Sequence, residues 1–380
     1  MMSDDREWPM PRTWLDQVPF VDLARHVLAQ QRGSVAPPLS LEIYPTNNCN
    51  LDCIYCWRHE LSPEQRRFED ELSAAELLRL LEDALDGGQL RAVNILGGGE
   101  PLLRWTDLRP LLDRLARHEI PVRITTNGTL WNSRMADELM ASSVFLVVTS
   151  LDAADADLAD LMRGRGVSAS IWRKLDLLVR AREAAGRGPL LTLHALITRE
   201  TLEQLDRLVE LCAARGLDGL EIDSMSHTRS IEGSSRITTL SDKDEGRLAE
   251  QLQSCQARAQ TLGQQTSFDV YLSRPDLLVR RESQVATDIP CYFPFFHAVI
   301  DPRGMLHPCC ASLGSSLGSA WQADSTEPYW RQEGLLGLRK TLDSGRDHPI
   351  CRRCPPALIM FNRAIHREVL RLQAGPPEDG

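Results

Sequence analysis

Short apolar runs alternate along the chain with longer amphipathic segments, and the two kinds of pattern predict strands and helices. Six short runs read as strands: LSLEIYPT, AVNIL, VRITTNGTL, VFLVVTSLD, LLTLHALIT and LDGLEIDSMS. Helical segments separate them, among them LSAAELLRLLEDAL, where Ser73 is placed to cap, and TDLRPLLDRLARH. Such alternation predicts parallel βα units in an α/β fold, either a doubly wound sheet or a full or partial TIM-type barrel. In both folds ligands bind at the carboxyl ends of the strands.

The pattern changes after the sixth strand, and this change divides the chain. A polar segment at 227–240 reads as a linker, and a helix-like segment follows from about Ser241 to Ala259. From Cys291 onward the chain has short strands, prolines and a second set of cysteines. We therefore expect an N-terminal extension at 1–38, a barrel region at 39–226, a linker and helical segment at 227–285, a small cysteine-rich domain at 286–365 and a tail at 366–380.

Composition and charge narrow the class of protein. The 380 residues are 42% hydrophobic and 25% charged, which is enough to bury a full-sized core. The net charge of −10 is spread without a basic stripe, which argues against a nucleic-acid partner. No secretion signal opens the chain, and no run reaches the roughly 18 apolar residues of a membrane span. We therefore expect a cytoplasmic protein whose ten cysteines are metal ligands, nucleophiles or core residues rather than disulfides.

Three cysteines follow the first predicted strand in the pattern C-x3-C-x2-C, within YPTNNCNLDCIYCWRHE. Their polar, Asn-rich loop is a poor place for buried packing residues. Three thiolates can hold three irons of a cubane 4Fe-4S cluster and leave the fourth iron open to a small molecule. Zinc would require a fourth ligand, and the nearest one, His59, would make an unusual structural site. The spacing therefore favours an iron-sulfur cluster that does chemistry.

The motif C-x3-C-x-aromatic-C directly after the first strand resembles the radical S-adenosylmethionine (SAM) superfamily, and the resemblance covers most of the chain. It implies a partial (β/α)6 barrel in which Cys49, Cys53 and Cys56 hold a 4Fe-4S cluster that binds SAM. Further stretches match the SAM-binding pattern in order. The implied SAM-binding residues are Tyr55 beside the adenine, Gly97, Gly98, Gly99, Glu100 and Pro101 at the methionine amino group, Asn127 on the SAM side, Ser150 and Asp152 at the ribose, and Arg163 at the carboxylate.

Elementary chemistry agrees with these assignments but leaves several alternatives open. Glycines let backbone groups approach a ligand closely, and a glutamate after them supplies a carboxylate for an ammonium group. By itself, a Gly-rich segment between strand and helix is more often a simple turn, and Asn127 before Gly128 reads equally as a turn. Arg165 is an alternative to Arg163. His194, Asp223 and Cys310 are the candidate catalytic residues, although a buried, hydrogen-bonded histidine explains His194 equally well.

The C-terminal cysteines form a second pattern, with Cys291, Cys309 and a later C-x2-C at Cys351 and Cys354. This arrangement resembles the twitch domain, a shortened SPASM domain in which cysteines around a β-hairpin and a C-x2-C ligate one auxiliary 4Fe-4S cluster. No cysteine follows Cys354, which argues against a second auxiliary cluster. Cys310 is an alternative to Cys309, and a four-thiolate zinc site has the same ligand count. The two remaining cysteines, Cys212 and Cys255, lack nearby partners and read as packing or surface residues.

The resemblance implies that the reduced cluster cleaves SAM to methionine and a 5'-deoxyadenosyl radical, which abstracts a substrate hydrogen. An auxiliary cluster with no open ligand position would accept an electron, so oxidation of the substrate is the natural outcome. The layout is similar to that of the aminocyclitol dehydrogenases of butirosin biosynthesis. We therefore expect dehydrogenation of a carbohydrate or aminocyclitol, with a flavodoxin or ferredoxin as electron donor.

Three other functions remain possible from the sequence. A peptide maturase usually carries a leader-binding winged-helix domain, for which about 38 residues before the first strand are too few, although a separate protein can supply one. A carbohydrate epimerase would need a hydrogen donor, such as the thiol of Cys310 or Cys255. A non-enzymatic iron-sulfur electron carrier would explain the cysteines, but not the SAM-type loops at successive strand ends.

Overall fold

The computed structural model describes residues 18–62, 66, 70–224, 237–272, 276–279, 289–312, 316–321, 327–344, 354 and 356–374. Its strands are β1 Ser40–Ile43, β2 Ala92–Ile95, β3 Val122–Thr126, β4 Val144–Ser150, β5 Leu190–Ile197, β6 Gly219–Ser224, β7 Gln265–Thr266, β8 His297–Ile300 and β9 Leu306–His307. Its helices are α1 Phe20–Gln31, α2 Ala74–Asp86, α3 Trp105–Arg117, α4 Ser133–Met140, α5 Ala156–Arg163, α6 Val167–Ala185, α7 Arg199–Leu202, α8 Leu205–Ala214, α9 Glu245–Thr261, α10 Phe268–Leu272, α11 Asp276–Val279, α12 Phe293–Phe296, α13 Glu333–Asp343 and α14 Pro356–Ala374.

The described strands form one sheet in the order β7-β6-β5-β4-β3-β2-β1-β8-β9. All neighbouring strands are parallel except β8 and β9, which form an antiparallel hairpin. The six strands predicted from the sequence are β1 to β6, and helices lie between successive strands. The prediction of an α/β fold with parallel βα units is therefore confirmed.

An ion pair shows that this sheet is curved. Arg123 on β3 donates from Nη2 to Glu221 Oε2 on β6 at 2.8 Å, although β4 and β5 separate the two strands. Such a contact can only cross the concave face of the sheet. Side chains alternate between the two faces along each strand. The residues next to those on the concave face, such as Leu41 and Ile43 on β1, therefore point to the convex face and pack in the apolar core with the helices. The space inside the curved sheet is hereafter called the lumen.

The helix that follows the cysteine loop begins where the sequence predicts. Ser73 accepts a hydrogen bond from the Glu76 backbone N–H, and the Glu76 carboxylate accepts from the Ser73 N–H, so a capping box starts α2. The buried face of α2 carries Leu77, Leu81 and Ala84, which pack onto the sheet. This helix therefore returns the chain from the cysteine loop to β2.

The sheet continues beyond the six predicted strands at both edges. Strand β8 pairs with β1 in parallel, and the Ser40 hydroxyl lies 2.9 Å from the His297 ring nitrogen Nδ1 across this pair. Strand β7 adds two residues beside β6. The sequence pattern does not show these strands, because β7 is too short to alternate and every residue of β8 is buried.

A second, smaller core lies behind the hairpin. Helix α1 packs against α14 and α12, with Phe293, Phe296 and Phe361 at its centre. The Arg339 side chain on α13 donates to the Pro294 carbonyl at 2.7 Å and holds α12 in place. Helix α14 continues through Ala374, past the point where we expected the tail to begin. Within the described residues, no helix combines the length and apolar character that a membrane span requires.

Candidate functional site

The loop after β1 carries the cysteine triad. The Cys56 backbone N–H donates to the Cys53 carbonyl at 3.0 Å, and the Ile54 N–H donates to the Met162 carbonyl at the end of α5 at 3.0 Å. The His59 ring nitrogen Nε2 lies 2.9 Å from the Cys53 carbonyl oxygen, so this nitrogen is engaged by the loop itself. The loop is thus folded by its own backbone and anchored to the barrel.

The three thiols are partly buried and none forms a disulfide. Burial raises the pKa of each thiol, that of Cys53 to about 11, and the neighbouring cysteines raise the pKa of Cys53 further. Three thiols that share one poorly solvated loop suit a metal cluster, because metal coordination supplies the positive charge that a buried thiolate lacks. The donor set therefore fits the predicted 4Fe-4S cluster. Among the described residues, no three His, Cys, Asp or Glu side chains are grouped to hold a single metal ion.

The glycine-rich loop after β2 lies directly against the cysteine loop. The Gly99 N–H donates to the Thr46 carbonyl at 3.0 Å, and the Glu100 N–H donates to the Asn48 carbonyl at 2.8 Å. A Cβ atom at Gly99 would overlap the Asn48 carbonyl, and one at Gly98 would overlap the Asn47 side chain. Two of the predicted SAM-binding glycines are therefore required for the packing of the two loops. Pro101 then begins the 3-10 turn Pro101–Arg104.

Glu100 is buried at the junction of this loop with β3. Its Oε1 atom accepts from the Thr126 hydroxyl at 2.6 Å and the Leu102 N–H at 3.0 Å, and Oε2 accepts from the Asn127 N–H at 2.7 Å. Burial raises the pKa of Glu100, and these hydrogen bonds oppose the rise. The carboxylate thus joins the ends of β2 and β3. Its predicted role toward the ammonium group of SAM stays a prediction.

Asn127 makes the turn that was one of the two roles left open by the sequence, and its role on the SAM side stays a prediction. Its Oδ1 atom accepts from the Thr129 N–H at 3.0 Å, which makes a turn, and Gly128 has a φ of 75°. Its Nδ2 group donates to Asn50 Oδ1 at 2.9 Å and lies 3.9 Å from the Cys49 sulfur. The turn after β3 is therefore tied to the cysteine loop.

A buried cluster joins three of the predicted SAM-binding residues to one another. Arg163 donates from Nε to Asp152 Oδ2 at 2.8 Å and from Nη2 to Oδ1 at 3.0 Å. The Tyr55 hydroxyl donates to the same Asp152 Oδ2 at 2.8 Å, and the Arg163 guanidinium lies 5.5 Å from the centre of the Tyr55 ring. The sequence reasoning assigned each residue to a different part of SAM and missed this mutual contact. Arg165, the alternative to Arg163, is exposed.

The other candidate residues on β4 to β6 lie on strands that line the lumen. Ser150, the last residue of β4, is in register with His194 on β5, and His194 is in register with Glu221 on β6. Asp223 lies two positions after Glu221 on β6, so both side chains point to the same face of the sheet. The Asp223 Oδ1 atom accepts from the Tyr271 hydroxyl at 3.4 Å. His194 and Asp223 therefore stay candidate catalytic residues on the concave face.

The sequence reasoning missed a polar row deeper in the lumen. Glu42, Asn94 and Arg123 are in register on β1, β2 and β3, and Asn94 Nδ2 donates to Glu42 Oε2 at 3.0 Å. Burial raises the pKa of Glu42 to about 7, although Tyr44, Asn94 and Arg123 each lower it. Along β1, Glu42 alternates with the apolar residues Leu41 and Ile43, so its side chain points to the opposite face of the sheet. This alternation in the sequence could have indicated a polar residue inside the barrel.

The second cysteine set lies beside the same strand. Cys291 precedes α12, Cys309 and Cys310 follow β9, and Cys354 precedes α14. Cys351 lies outside the described residues. Burial raises the pKa of the Cys310 thiol, and Glu42, Cys309 and Cys354 raise it further, so each of these three groups lies within electrostatic range of Cys310. The choice between Cys309 and Cys310 stays open.

The two remaining cysteines lie elsewhere in the protein. Cys212 on α8 and Cys255 on α9 are both fully buried in the apolar core around the sheet. The sequence predicted packing or surface residues, and the structure shows packing for both.

The sheet is curved and parallel, and a cysteine triad lies at the end of its first strand. A second cysteine set lies beside that strand. Together these features define an iron-sulfur protein of the barrel type. The sequence model of the radical SAM superfamily matches residues 43–212, and that of the SPASM iron-sulfur cluster-binding domain matches residues 291–355. The chain therefore contains a radical SAM domain and a C-terminal SPASM domain. These two domains imply a 4Fe-4S cluster that binds SAM, together with auxiliary iron-sulfur chemistry.

Two kinds of curated relative are similar to this chain. The mycofactocin maturase MftC of Mycolicibacterium smegmatis is 34% identical over 188 residues, which cover 49% of this chain and 44% of MftC. The PqqA peptide cyclase of Xanthomonas campestris pv. campestris is 28% identical over 282 residues, which cover 74% of this chain and 69% of the cyclase. The matched region thus spans about half the length of MftC and about two thirds of the length of the cyclase.

The fold is also that of a solved structure. SuiB of Streptococcus suis, in the crystal structure with its precursor peptide SuiA, superposes with a TM-score of 0.58 at 22% identity and covers 86% of this chain and 69% of SuiB. At this identity the likeness concerns the fold.

We predict that Cys49→Ala, Cys53→Ala and Cys56→Ala each abolish the formation of 5'-deoxyadenosine from SAM, because a cubane that lacks one thiolate is lost or misplaced. The measurement is chromatography of reconstituted, dithionite-reduced enzyme with SAM. Cys212→Ala is the matched control and should retain 5'-deoxyadenosine formation, since Cys212 lies in the helical layer. Formation of 5'-deoxyadenosine by any of the three triad variants would contradict the assignment of these cysteines as cluster ligands.

The buried cluster around Asp152 gives a second prediction. Asp152→Ala should lower the free energy of unfolding by about 3 kcal/mol, because it leaves the Arg163 guanidinium buried without its carboxylate. Tyr55→Phe removes one hydrogen bond and should cost about 1 kcal/mol. Asp176→Ala is the control, since it breaks a half-exposed ion pair with Arg215 and should cost less than about 1 kcal/mol. Denaturant unfolding followed by circular dichroism measures all three, and equal losses for Asp152→Ala and Asp176→Ala would contradict the prediction.

Proposed function

We propose that this protein is a radical SAM peptide maturase, which abstracts a hydrogen atom from a ribosomally made precursor peptide. The observation that carries the proposal is the identity of its relatives, since MftC is a maturase and the PqqA cyclase takes a peptide. The fold neighbour SuiB was solved with a precursor peptide bound. The expected dehydrogenation of a carbohydrate or aminocyclitol has less support than this alternative.

In this reaction the protein holds the cluster and orients SAM and the substrate. A cluster and SAM held at the triad would supply radical chemistry, the abstraction of a hydrogen atom from the substrate. The thiols of Cys49, Cys53 and Cys56 would fix this chemistry at the carboxyl end of β1. The loops around Gly99 and Asn127 pack against the cysteine loop and limit its movement.

The second cysteine set supports an oxidative outcome. After hydrogen abstraction, a substrate radical reaches a closed-shell product when it loses one electron and one proton. Cys310 lies within electrostatic range of the lumen residue Glu42, of Cys309 and of Cys354, which supports an electron acceptor held by the second cysteine set near the lumen. The carboxylate of Asp223 is a candidate acceptor for the proton. We propose a flavodoxin or ferredoxin as reductant, and the reducing cytoplasm as the location.

The proposal predicts a change of mass in a peptide. Reconstituted enzyme with SAM and dithionite should modify a short peptide encoded beside its gene, with 5'-deoxyadenosine formed in step with the modified peptide. Mass spectrometry of the peptide and chromatography of the nucleoside measure the two products. Aminocyclitols and sugars tested in parallel should leave 5'-deoxyadenosine at the background rate. Turnover of a sugar and none of the peptide would return the assignment to carbohydrate oxidation.

The two cysteine sets should be separable. The double variant Cys351→Ala/Cys354→Ala should still cleave SAM but yield no oxidised peptide, because hydrogen abstraction precedes electron loss. The triple alanine variant of the triad should retain about four irons at the second set. Iron and zinc analysis and circular dichroism accompany both assays, since a metal-free SPASM domain can unfold. Zinc in place of iron and sulfide in the triple variant would exclude an electron-transfer role, because zinc has no redox chemistry.

A further inference from the structure

One carboxylate holds the segment of chain that leads into the cysteine triad. The Glu71 side chain, just before α2, accepts at Oε1 from the Thr46 hydroxyl at 2.8 Å and from the Asn47 N–H at 2.9 Å. The Asn48 side chain donates from Nδ2 to the same oxygen atom at 3.3 Å. These three donors belong to the residues directly before Cys49. The start of the cysteine loop is therefore fixed by a residue outside that loop.

The glycine-rich loop holds the opposite side of the same segment. The backbone carbonyls of Thr46 and Asn48 accept hydrogen bonds from that loop, and the Asn48 N–H donates to the Thr46 hydroxyl oxygen at 2.9 Å. The carbonyls are thus bound by one loop and the donors by Glu71. Thr46 is 1% exposed, so bulk water does not readily replace the carboxylate as its acceptor. Loss of Glu71 would release one side of the segment.

The next residue along the chain contacts the SPASM domain. The Leu72 N–H donates to the Pro302 carbonyl in the turn between β8 and β9 at 2.7 Å. A Cβ atom at Gly304, in the same turn, would lie 3.3 Å from Leu72 Cδ1. One turn into α2, the Arg79 guanidinium lies 5.0 Å from the centre of the Trp321 ring. The start of α2 therefore lies between the cysteine loop and the SPASM turn.

We propose that Glu71 is a positioning residue for the cysteine triad, and that residues 71–73, the bridge segment, link this triad mechanically to the SPASM turn. The two contacts are made by adjacent residues, so neither can shift without the other. The capping box at Ser73 fixes the end of the bridge segment to α2. A shift of the turn is thus passed to the cysteine loop through contiguous packed groups. This coupling does not depend on which substrate the enzyme takes.

Hydrogen exchange on the reconstituted enzyme, kept anaerobic, tests the role of Glu71. Glu71→Ala should raise the exchange rate of the amides at 47 and 48 roughly tenfold, because their segment loses its acceptor. Glu71→Gln should stay within about threefold of the unaltered enzyme, since all three donors converge on one oxygen atom that glutamine retains. Glu82→Ala, which breaks the pairing with Arg114 further along α2, is the control and should change nothing at 47 and 48.

A pair of glycine substitutions tests the coupling from the SPASM side. Gly304 has a φ of 75°, and an added Cβ would lie 2.8 Å from Trp321 Cβ, so Gly304→Ala must shift the turn against Leu72. This variant should raise exchange at 47 and 48 about threefold or more. Gly263→Ala is the matched control, because Gly263 has a φ of 67° and its Cβ would meet nothing within 4 Å. In a Glu71→Ala background, Gly304→Ala should add no further increase.

Electron paramagnetic resonance supplies a signature that stability alone would not move. The reduced enzyme is titrated with SAM, and the midpoint of the spectral change is measured for variants of equal iron content and circular dichroism. Glu71→Ala should raise the midpoint roughly tenfold, because the thiols are no longer held in place, and Glu71→Gln should restore it to within about threefold.

Each part of the proposal has its own contrary result. Unchanged exchange and an unchanged midpoint in Glu71→Ala, or a Glu71→Gln variant as impaired as Glu71→Ala, would overturn the positioning role. Equal exchange at 47 and 48 in Gly304→Ala and Gly263→Ala would overturn the coupling. If Gly304→Ala does not fold, Arg79→Ala replaces it, since it removes the contact with the Trp321 ring and leaves the turn itself unaltered. All of these measurements are made without a substrate, so their outcome is separate from that of the maturase assignment.

Discussion

The parallel pairing of β1 with both β2 and β8 is the constraint on which the candidate site depends. Four residues of β1 are held on both sides by backbone hydrogen bonds, and Ser40 and His297 add a side-chain contact across one pair. The strand ends at Ile43, so the direction of the cysteine loop is set by the sheet. The same pairing brings the β8–β9 hairpin, and with it Cys309 and Cys310, to the edge of the lumen.

The turn of the β8–β9 hairpin is held by its own hydrogen bonds. The Asp301 carboxylate accepts from the Arg303 and Met305 N–H groups at 2.9 and 2.8 Å, and Gly304 adopts a φ of 75° that other residues rarely adopt. The Leu72 N–H donates to the Pro302 carbonyl at 2.7 Å, which fastens the turn to the start of α2. The SPASM segment is therefore joined to the barrel by backbone contacts as well as by the shared sheet.

Local pattern predicted much of this fold, and non-local contact decided the rest. Strands β1 to β6 alternate with amphipathic helices, and Ser73 caps α2, so both could be read from adjacent residues. Strand β8 could not, because its pairing with β1 joins residues more than 250 positions apart and its four residues are all buried. The triad was visible because its spacing is a chemical requirement. The Asp152–Arg163–Tyr55 cluster was not, since each side chain alone fitted a ligand-binding role.

The glycine-rich loop shows why motif and packing are hard to separate. Gly98 and Gly99 stand where the motif places SAM-binding glycines, and the same positions admit the backbone of the cysteine loop. A substitution there would displace the thiols even if it touched no ligand. The motif therefore describes an arrangement of two loops, and loss of SAM binding in such a variant would not by itself identify a contact with SAM.

The polar row in the lumen has a thermodynamic consequence. Glu42, Asn94 and Glu221 are dehydrated when the chain folds, and the hydrogen bonds from Asn94 to Glu42 and from Arg123 to Glu221 offset only part of this cost. The protein thus carries a stability deficit relative to the same barrel with an apolar interior.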